Sequence, residues 1–251
     1  DWRNIWIIIS VAIILFLPLV SYFLVKEVKL SSRENDNEVI KENIKQWKRS
    51  EVIKDYRFII IALNMLAMPW IATGIFVYQS FILSAKNWGE YTIAQSFMVY
   101  SIASVLTLFV AGYLIDKFTS RKLLIYMNIP FLISLLILIY FQSPVSSFFF
   151  LGLIGVSNGF ANVLGSSTWA ELYGVKFIGS IKALTTALMV FSTAFGTALF
   201  GLMIDFDFSI EQISMISGGY ILISLILLFL IKNKLNPCLL YTSDAADEKR
   251  W

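Results

Sequence analysis

The sequence predicts an all-α integral membrane protein with seven transmembrane helices, and three observations carry that expectation. Hydrophobic residues make up 58% of the 251-residue chain and charged residues only 15%, where a soluble domain carries about a quarter charged residues. Seven apolar runs, approximately 5–25, 58–83, 92–115, 123–141, 145–169, 184–204 and 215–232, match the roughly 20 residues a helix needs to cross the hydrocarbon core. The runs are continuously apolar rather than alternating, so they satisfy their backbone as helices and not as strands of a membrane barrel.

The first run, 5–25, follows Asp1-Trp2-Arg3 directly. It lacks the basic start and small-residue cleavage site of a signal peptide. Residues 26–56 form the one sizeable polar stretch. Within it 31–38 reads as flexible linker, and 39–56 place Ile40, Ile44 and Trp47 at helical spacing among Lys, Glu and Gln. That spacing predicts an amphipathic helix on the membrane surface, with a partly ordered linker as the alternative. In the second span Pro69 removes a backbone donor and predicts a kink. The third and fourth spans are separated only by the charged hinge Asp116 to Lys122, which leaves no room for a folded loop and makes them antiparallel neighbours. The fifth span carries Asn158 and Asn162. In the sixth, Ser192, Thr193 and Thr197 read as residues bonded to the helix backbone. The seventh ends at Lys232 and Lys234. Residues 237–251 shift abruptly in composition and resemble a translated sequencing adapter; they are expected to stand outside the fold, an ordinary polar tail being the alternative.

Sixteen Lys and Arg fall on one side of the predicted membrane, nine of them in 26–57, and only Arg3 and Lys86 on the other. The excess of basic residues marks the cytoplasmic side, so the first helix starts outside and the C-terminus lies inside, with the plasma membrane as the expected location. The net charge of +3 suits loops facing anionic lipid and offers no basic, aromatic-interleaved surface for a nucleic acid. The chain has no His, and Cys238 is its only Cys. This removes His/Cys zinc sites, thiol nucleophiles, disulfides and imidazole acid–base chemistry. No catalytic residue, metal site or cofactor is expected.

The pattern Gly112-x-Leu114-x-Asp116-Lys117-x-x-x-Arg121-Lys122-x-Leu124 resembles the signature loop of the major facilitator superfamily of secondary transporters, which follows the second helix of each six-helix half. The family usually has Gly where this chain has Thr119, and Thr tolerates left-handed backbone poorly. The resemblance implies that the last six helices form one half-bundle of that fold. Residues 1–25 would be the last helix of a truncated N-terminal half, 26–56 the cytoplasmic central linker and 57–236 the C-terminal transport domain. A second patch, Trp169 to Leu184, and the stretch Gly196-Thr-Ala-Leu-Phe-Gly201-Leu-Met-Ile-Asp205 are similar to bacterial members related to monocarboxylate and oxalate/formate carriers. There Thr197 replaces the usual Pro, so a kink expected at that point would be absent.

On this resemblance the chain is a fragment of a secondary active transporter that moves a small metabolite, polar or anionic, by alternating access. A seven-helix sensor or a membrane-embedded enzyme is the alternative. Its partners would be the substrate, the lipid bilayer and the missing N-terminal half. Gly112, Asp116, Lys117, Arg121 and Lys122 are the candidate gating motif, since an acid at a helix end in a membrane costs free energy unless paired; for the cations, plain positive-inside topology is the alternative. Asn158, Asn162 and Trp169 share one helical arc with Gly155 and Gly165. Together with Asn64, Tyr78 and Gln79 they are the candidate substrate pathway, against the alternative of helix packing or, for Tyr78, interfacial placement. No Lys, Arg, Asp or Glu lies near the middle of a span, so no coupling residue is assigned.

Overall fold

A computed structural model describes residues 2–25 and 45–235 of the chain. These divide into two units, one within 1–43 and one within 44–251. The first holds a single helix, α1 (Trp2–Val25), which contains Pro18. Its apolar stretch Arg3–Pro18 is shorter than the six spans of the second unit, and its described side chains are largely exposed.

The second unit is all-helical. In order it contains α2 (Arg49–Val52), α3 (Tyr56–Ala67), a π-helical turn (Met68–Ala72), α4 (Thr73–Val77) and α5 (Gln79–Lys86). There follow α6 (Glu90–Phe118), α7 (Ser120–Met127), α8 (Ile129–Tyr140), α9 (Ser146–Tyr173), α10 (Ile178–Asp205), α11 (Ile210–Ile231) and a closing 3-10 turn, Lys232–Lys234. Six stretches are long and apolar enough to cross a membrane: Tyr56–Val77, Tyr91–Phe118, Ser120–Tyr140, Ser146–Tyr173, Ile178–Asp205 and Ile210–Lys234.

Local chemistry explains where the elements break. Asn87 ends α5 in the left-handed conformation at φ 52°, which Asn tolerates better than most residues. Asn128 (φ −98°, ψ 1°) separates α7 from α8, and Pro130 occupies the first turn of α8, where its missing N–H has no helical partner to lose. Pro69 produces the π-helical turn rather than a simple bend. The carbonyls just before that turn are served by other helices. Leu63 O accepts from the Tyr220 hydroxyl at 2.8 Å, Asn64 O from Asn128 Nδ2 at 2.6 Å, and Leu66 O from the Ser192 hydroxyl at 3.3 Å. Such partners are what make an irregular turn tolerable at membrane depth. α10 runs unbroken through Thr197, whose hydroxyl donates to Thr193 O at 3.0 Å.

One expectation is corrected. The amphipathic helix over 39–56 is reduced, within the described residues, to the single turn α2; residues 45–48 are non-helical, and Ile40 and Ile44 lie outside the described residues. Trp47 is held instead by the end of α9: its N–H donates to Tyr173 O at 3.1 Å and its ring meets Tyr173 edge-on at 5.5 Å. That seat takes the place of a membrane-surface face. The linker stretch 31–38 and the adapter-like tail 237–251 also lie outside the described residues.

Apolar burial gives little drive between helices in lipid, so close approach of backbones matters more. Gly155 brings α9 against the Tyr100 carbonyl of α6, and Gly196 brings α10 against the Trp70 carbonyl of the π turn; a Cβ at either position would collide with backbone. Two buried clusters form around these seams. One centres on Trp70, Ile71, Phe131, Phe150 and Phe200, the other on Phe58, Ile61, Leu124, Trp169 and Tyr173.

Candidate functional site

A groove of about 230 Å³ opens between α3–α4, α6, α9 and α10. Its walls are Met65, Met68, Phe76, Tyr100, Trp169 and Met189, and its polar groups are Thr73, Asn158, Asn162 and Thr185. No Lys, Arg, Asp or Glu is among its lining residues. The π turn places Met68, Pro69 and Ala72 along one edge. Asn158 Nδ2 donates to the Ser104 hydroxyl of α6 at 3.0 Å, and Asn162 Nδ2 donates to the Asn158 carbonyl one turn back at 2.9 Å. Both bonds use the amide nitrogens, and neither side-chain oxygen has a hydrogen-bond partner among the described residues. Trp169, 2% exposed, forms the closed end; it stacks on Tyr173 at 6.2 Å and tilts against Phe58 at 5.1 Å.

Of the predicted pathway residues, the groove thus brings together Asn158, Asn162 and Trp169. Gly165 joins them, with open space beside its Cα, whereas Gly155 belongs to the α6 seam. Asn64 is a correction. It is fully buried, its Nδ2 reaches the Ser224 hydroxyl at 3.4 Å, and its carbonyl accepts from Asn128, so it packs α3 against α8 and α11 rather than facing the groove. Tyr78 and Gln79 do not line it either. Tyr78 breaks the helix (φ −99°, ψ 26°), with its hydroxyl packed against Gly201 of α10. Tyr100 and Thr185 also line the groove but were not singled out in the sequence, because Tyr100–Ser101 and Thr185–Thr186 offer adjacent polar groups and only the neighbouring helices decide which one faces it.

The hinge lies at one end of the bundle. Thr119 adopts φ 74°, ψ 147° between α6 and α7, a conformation natural to Gly and costly for a β-branched residue. Glu171 of α9 closes the start of α7: Ser120 N–H donates to its Oε1 at 2.9 Å, and Arg121 Nε to its Oε2 at 3.2 Å. Arg121 Nη1 also donates to Leu235 O at 2.9 Å. Gly112 has open space beside its Cα. Asp116 and Lys122 are exposed, Asp116 has no ion-pair or hydrogen-bond partner among the described residues, and Lys117 lies over the Phe118 ring at 5.4 Å. Arg121 and Asp116, expected to act together, are therefore in different surroundings. Glu171, the acid that does engage the hinge, went unmarked although it lies in the Trp169–Leu184 patch; an acid between Ala170 and Leu172 at the end of an apolar run was the available signal.

At the same end Asp55 caps α3, accepting from Arg57 N–H at 3.0 Å. It pairs with the Arg57 guanidinium at 2.8 Å and accepts from the Tyr173 hydroxyl at 3.1 Å. Arg57 Nη1 reaches Lys234 O at 3.4 Å, and Lys176 N–H donates to Gln46 Oε1 at 2.9 Å. The basic stretches 45–57, 117–122, 176–182 and 232–234 thus gather together. At the opposite end the Lys86 ammonium, its side chain fully buried, pairs with Glu211 Oε1 at 2.7 Å, and Trp88 Nε1 donates to Gln142 O at 3.0 Å.

The family model described as Major Facilitator Superfamily matches residues 1–197 and again 59–239. The chain belongs to the Major Facilitator Superfamily. It is a multi-pass membrane protein of a family of transporters rather than enzymes, and a transported small-molecule substrate follows from that membership. Neither a curated protein nor a solved structure matches it.

Proposed function

We propose that the groove between α3–α4, α6, α9 and α10 is this bundle's share of a transport pathway that works by alternating access. The observation that carries the reading is the convergence of Asn158 and Asn162 on a single cavity otherwise walled by apolar and aromatic side chains. Amides facing lipid would be unfavourable, and they are placed where water and solute enter. A second six-helix bundle faces the groove and rocks against this one. The broad apolar surfaces of α6 and α10, with Phe109 76% and Phe191 70% exposed, suit contact with that bundle and with lipid. In this arrangement 1–25 supplies the final helix of the opposing bundle, 26–56 the linker and 57–236 the transport domain. The basic end faces the cytoplasm of a cell whose plasma membrane holds the protein. Asp116 and Lys117, unengaged by Glu171, meet the opposing bundle when the cytoplasmic side closes, while Arg121, through Glu171 and Leu235 O, holds the turn that presents them.

Residues 173–181, and 196–205 apart from Thr197, carry the pattern behind the likeness to monocarboxylate and oxalate/formate carriers. The groove, however, offers a carboxylate no cation, so the proposed substrate is a small organic solute of no fixed negative charge at the groove.

Two labelling experiments on Cys238→Ser protein in intact membranes test these readings. A membrane-impermeant thiol reagent is expected to modify Asn162→Cys but not Phe149→Cys, which is 63% exposed on the outer face of the same helix. Equal protection of both positions would remove Asn162 from any aqueous pathway. From outside intact cells the reagent is expected to reach Phe208→Cys and to spare Lys45→Cys, and the reverse result would invert the topology.

A further inference from the structure

We infer that the basic end carries a binding pocket for the phosphate of an anionic phospholipid, set between the start of α7 and the turn that follows α11. The inference needs only that these spans cross a bilayer, and it does not depend on the pathway reading of the groove. The pocket holds about 580 Å³, within the about 300–1,000 Å³ of ordinary ligand sites. Arg121, Lys122, Lys232 and Asn233 supply its polar wall, and Ile125 and Tyr126 its apolar one. No residue lines both this pocket and the groove.

Glu171 answers the charge of Arg121 at 3.2 Å and spends its other oxygen on the Ser120 N–H. The two lysines are placed differently. Lys122 is exposed and has no ion pair or hydrogen bond among the described residues. Lys232 has no carboxylate partner there either, and its ammonium lies 3.8 Å from the centre of the Phe229 ring. Phe229 belongs to the apolar span Ile210–Lys234 and is 54% exposed. Cation–π attraction therefore folds Lys232 back toward the bilayer rather than out into water, at the level where lipid phosphates lie. Tyr126 is exposed at the same end of the span Ser120–Tyr140, an interfacial position that suits an amphipathic ring. Further into the two spans, Ile133 and Ile226 continue an exposed apolar surface. Two ammonium groups over aromatic and aliphatic side chains complement a phospholipid at both ends. Its phosphodiester accepts charge-assisted hydrogen bonds, and its chains lie along the helices. Basic pockets between spans hold anionic headgroups in this way. A soluble phosphate would meet the lysines but gain nothing from Tyr126 or Phe229.

The test uses the full chain with Cys238→Ser in dodecyl maltoside micelles containing phosphatidylcholine, into which dioleoyl phosphatidylglycerol is titrated. Asn233→Cys reports from the pocket, and Val175→Cys, exposed at the same end but outside the pocket, is the control. The uncharged reagent N-ethylmaleimide reads both. Phosphatidylglycerol is expected to slow modification of position 233, by about tenfold at ten times the half-saturating mole fraction, and to leave position 175 nearly unchanged. The half-point should rise by about fivefold with Lys122→Gln and by about as much with Lys232→Gln, the worth of one basic residue beside anionic lipid. Both lysines are exposed, so neither change strips the fold of a buried contact. Lys234→Gln removes an exposed lysine of the same turn that does not line the pocket, and should barely move the half-point. Inorganic phosphate and glycerol 3-phosphate, titrated in place of the lipid, should not protect. Equal slowing at 233 and 175, or an equal shift with Lys234→Gln, would reduce the effect to diffuse attraction and overturn the pocket. Protection by inorganic phosphate as strong as that by phosphatidylglycerol would overturn the lipid as its occupant. Absence of protection at 233 by any probe would overturn the site outright.

Discussion

At the basic end of the bundle, the stretches 46–57, 119–121, 171–176 and 234–235 are tied to one another by several bonds of modest individual strength. Asp55 serves the α3 backbone, Arg57 and Tyr173 at once; Glu171 serves Ser120 and Arg121; Arg57 and Arg121 reach the carbonyls of Lys234 and Leu235. The opposite end joins α5 to α11 through one ion pair, whose cation is fully buried, α5's exit to the loop before α9 through the Trp88–Gln142 bond, and the starts of α6 and α9 through the Ser96 and Ser147 hydroxyls at 2.7 Å. The difference is one of redundancy. Loss of one bond at the basic end leaves neighbours in place, whereas loss of the Glu211 charge leaves an ammonium buried without compensation.

The sharpest way to break this comparison is therefore Glu211→Gln. Stranding one member of a buried pair costs about 3–5 kcal/mol. Glu211 keeps a side-chain exposure of 35%, which lets water relieve part of the penalty, so a loss of about 2–3 kcal/mol is expected. Denaturant unfolding of the full chain in mixed micelles measures it. The pair replacement Lys86→Met with Glu211→Leu should recover most of the loss, because it removes the stranded charge as well. An unchanged midpoint for Glu211→Gln would mean that the opposite end has support beyond the ion pair.

At the basic end, Glu171→Ala removes the acceptor for the Ser120 N–H and the partner of Arg121. A lost cap and a partly buried ion pair together cost about 1–2 kcal/mol. Asp116→Asn, in the same hinge but exposed and unpaired, should change stability by less than about 0.5 kcal/mol. Under the proposed gating role its effect is expected on transport, as slower turnover or a shifted resting conformation. Equal destabilisation by the two substitutions would erase the distinction between the acid that holds the turn and the acid that faces away from it.

Thr119→Gly turns the comparison round, since here the basic end should gain. The φ of 74° imposes a strain of about 1–3 kcal/mol on a non-glycine residue, partly offset by the greater entropy of glycine in the unfolded chain. A net stabilisation of about 1 kcal/mol is expected, read as a raised unfolding midpoint. A lowered midpoint would show that the Thr119 side chain contributes more than its backbone costs.

The same two ends show what a sequence discloses. Span number and position in the second unit were legible because continuous apolarity is a property of consecutive residues, as was the left-over strain at Thr119, which follows from one residue type in one turn. The arc of Asn158, Asn162 and Trp169 was legible because all three lie on one helix with fixed angular spacing. Asn64 was misjudged since its polarity alone does not say whether an amide meets solute or another helix; the partners that decide it, Asn128 and Ser224, are 64 and 160 residues away. The pairings of Glu171 and Lys86 were hidden for the same reason. Each acquires meaning only from a residue on another helix, Arg121 in one case and Glu211 in the other.

The smallest expected effect lies at the margin of the basic end, in α2. Glu51 Oε2 accepts from the Lys48 N–H at 2.8 Å, and its Oε1 lies 3.5 Å from the Lys45 ammonium. That backbone hydrogen bond, aided by the charge of Lys45, holds the Glu51 carboxyl below its ordinary value. A group with a depressed folded-state pKa favours the folded form above its unfolded value, and the contribution is lost as pH falls through the folded one. The turn Arg49–Val52 is therefore expected to stay formed at neutral pH and to fray as the pH drops below the usual carboxylate range. Amide hydrogen exchange, corrected for the intrinsic pH dependence, reads this directly: protection at Lys48 should fall between about pH 6 and about pH 3. Glu51→Gln should show no such pH step, since its amide accepts the same bond without titrating. Because Trp47 remains seated on Tyr173 through its own N–H, the docking of 45–48 at the end of α9 should survive the loss of the Glu51 bond. Release of Trp47 at the same pH, seen as a shift in its fluorescence that Glu51→Gln abolishes, would show instead that the basic end is less redundant than its several bonds imply.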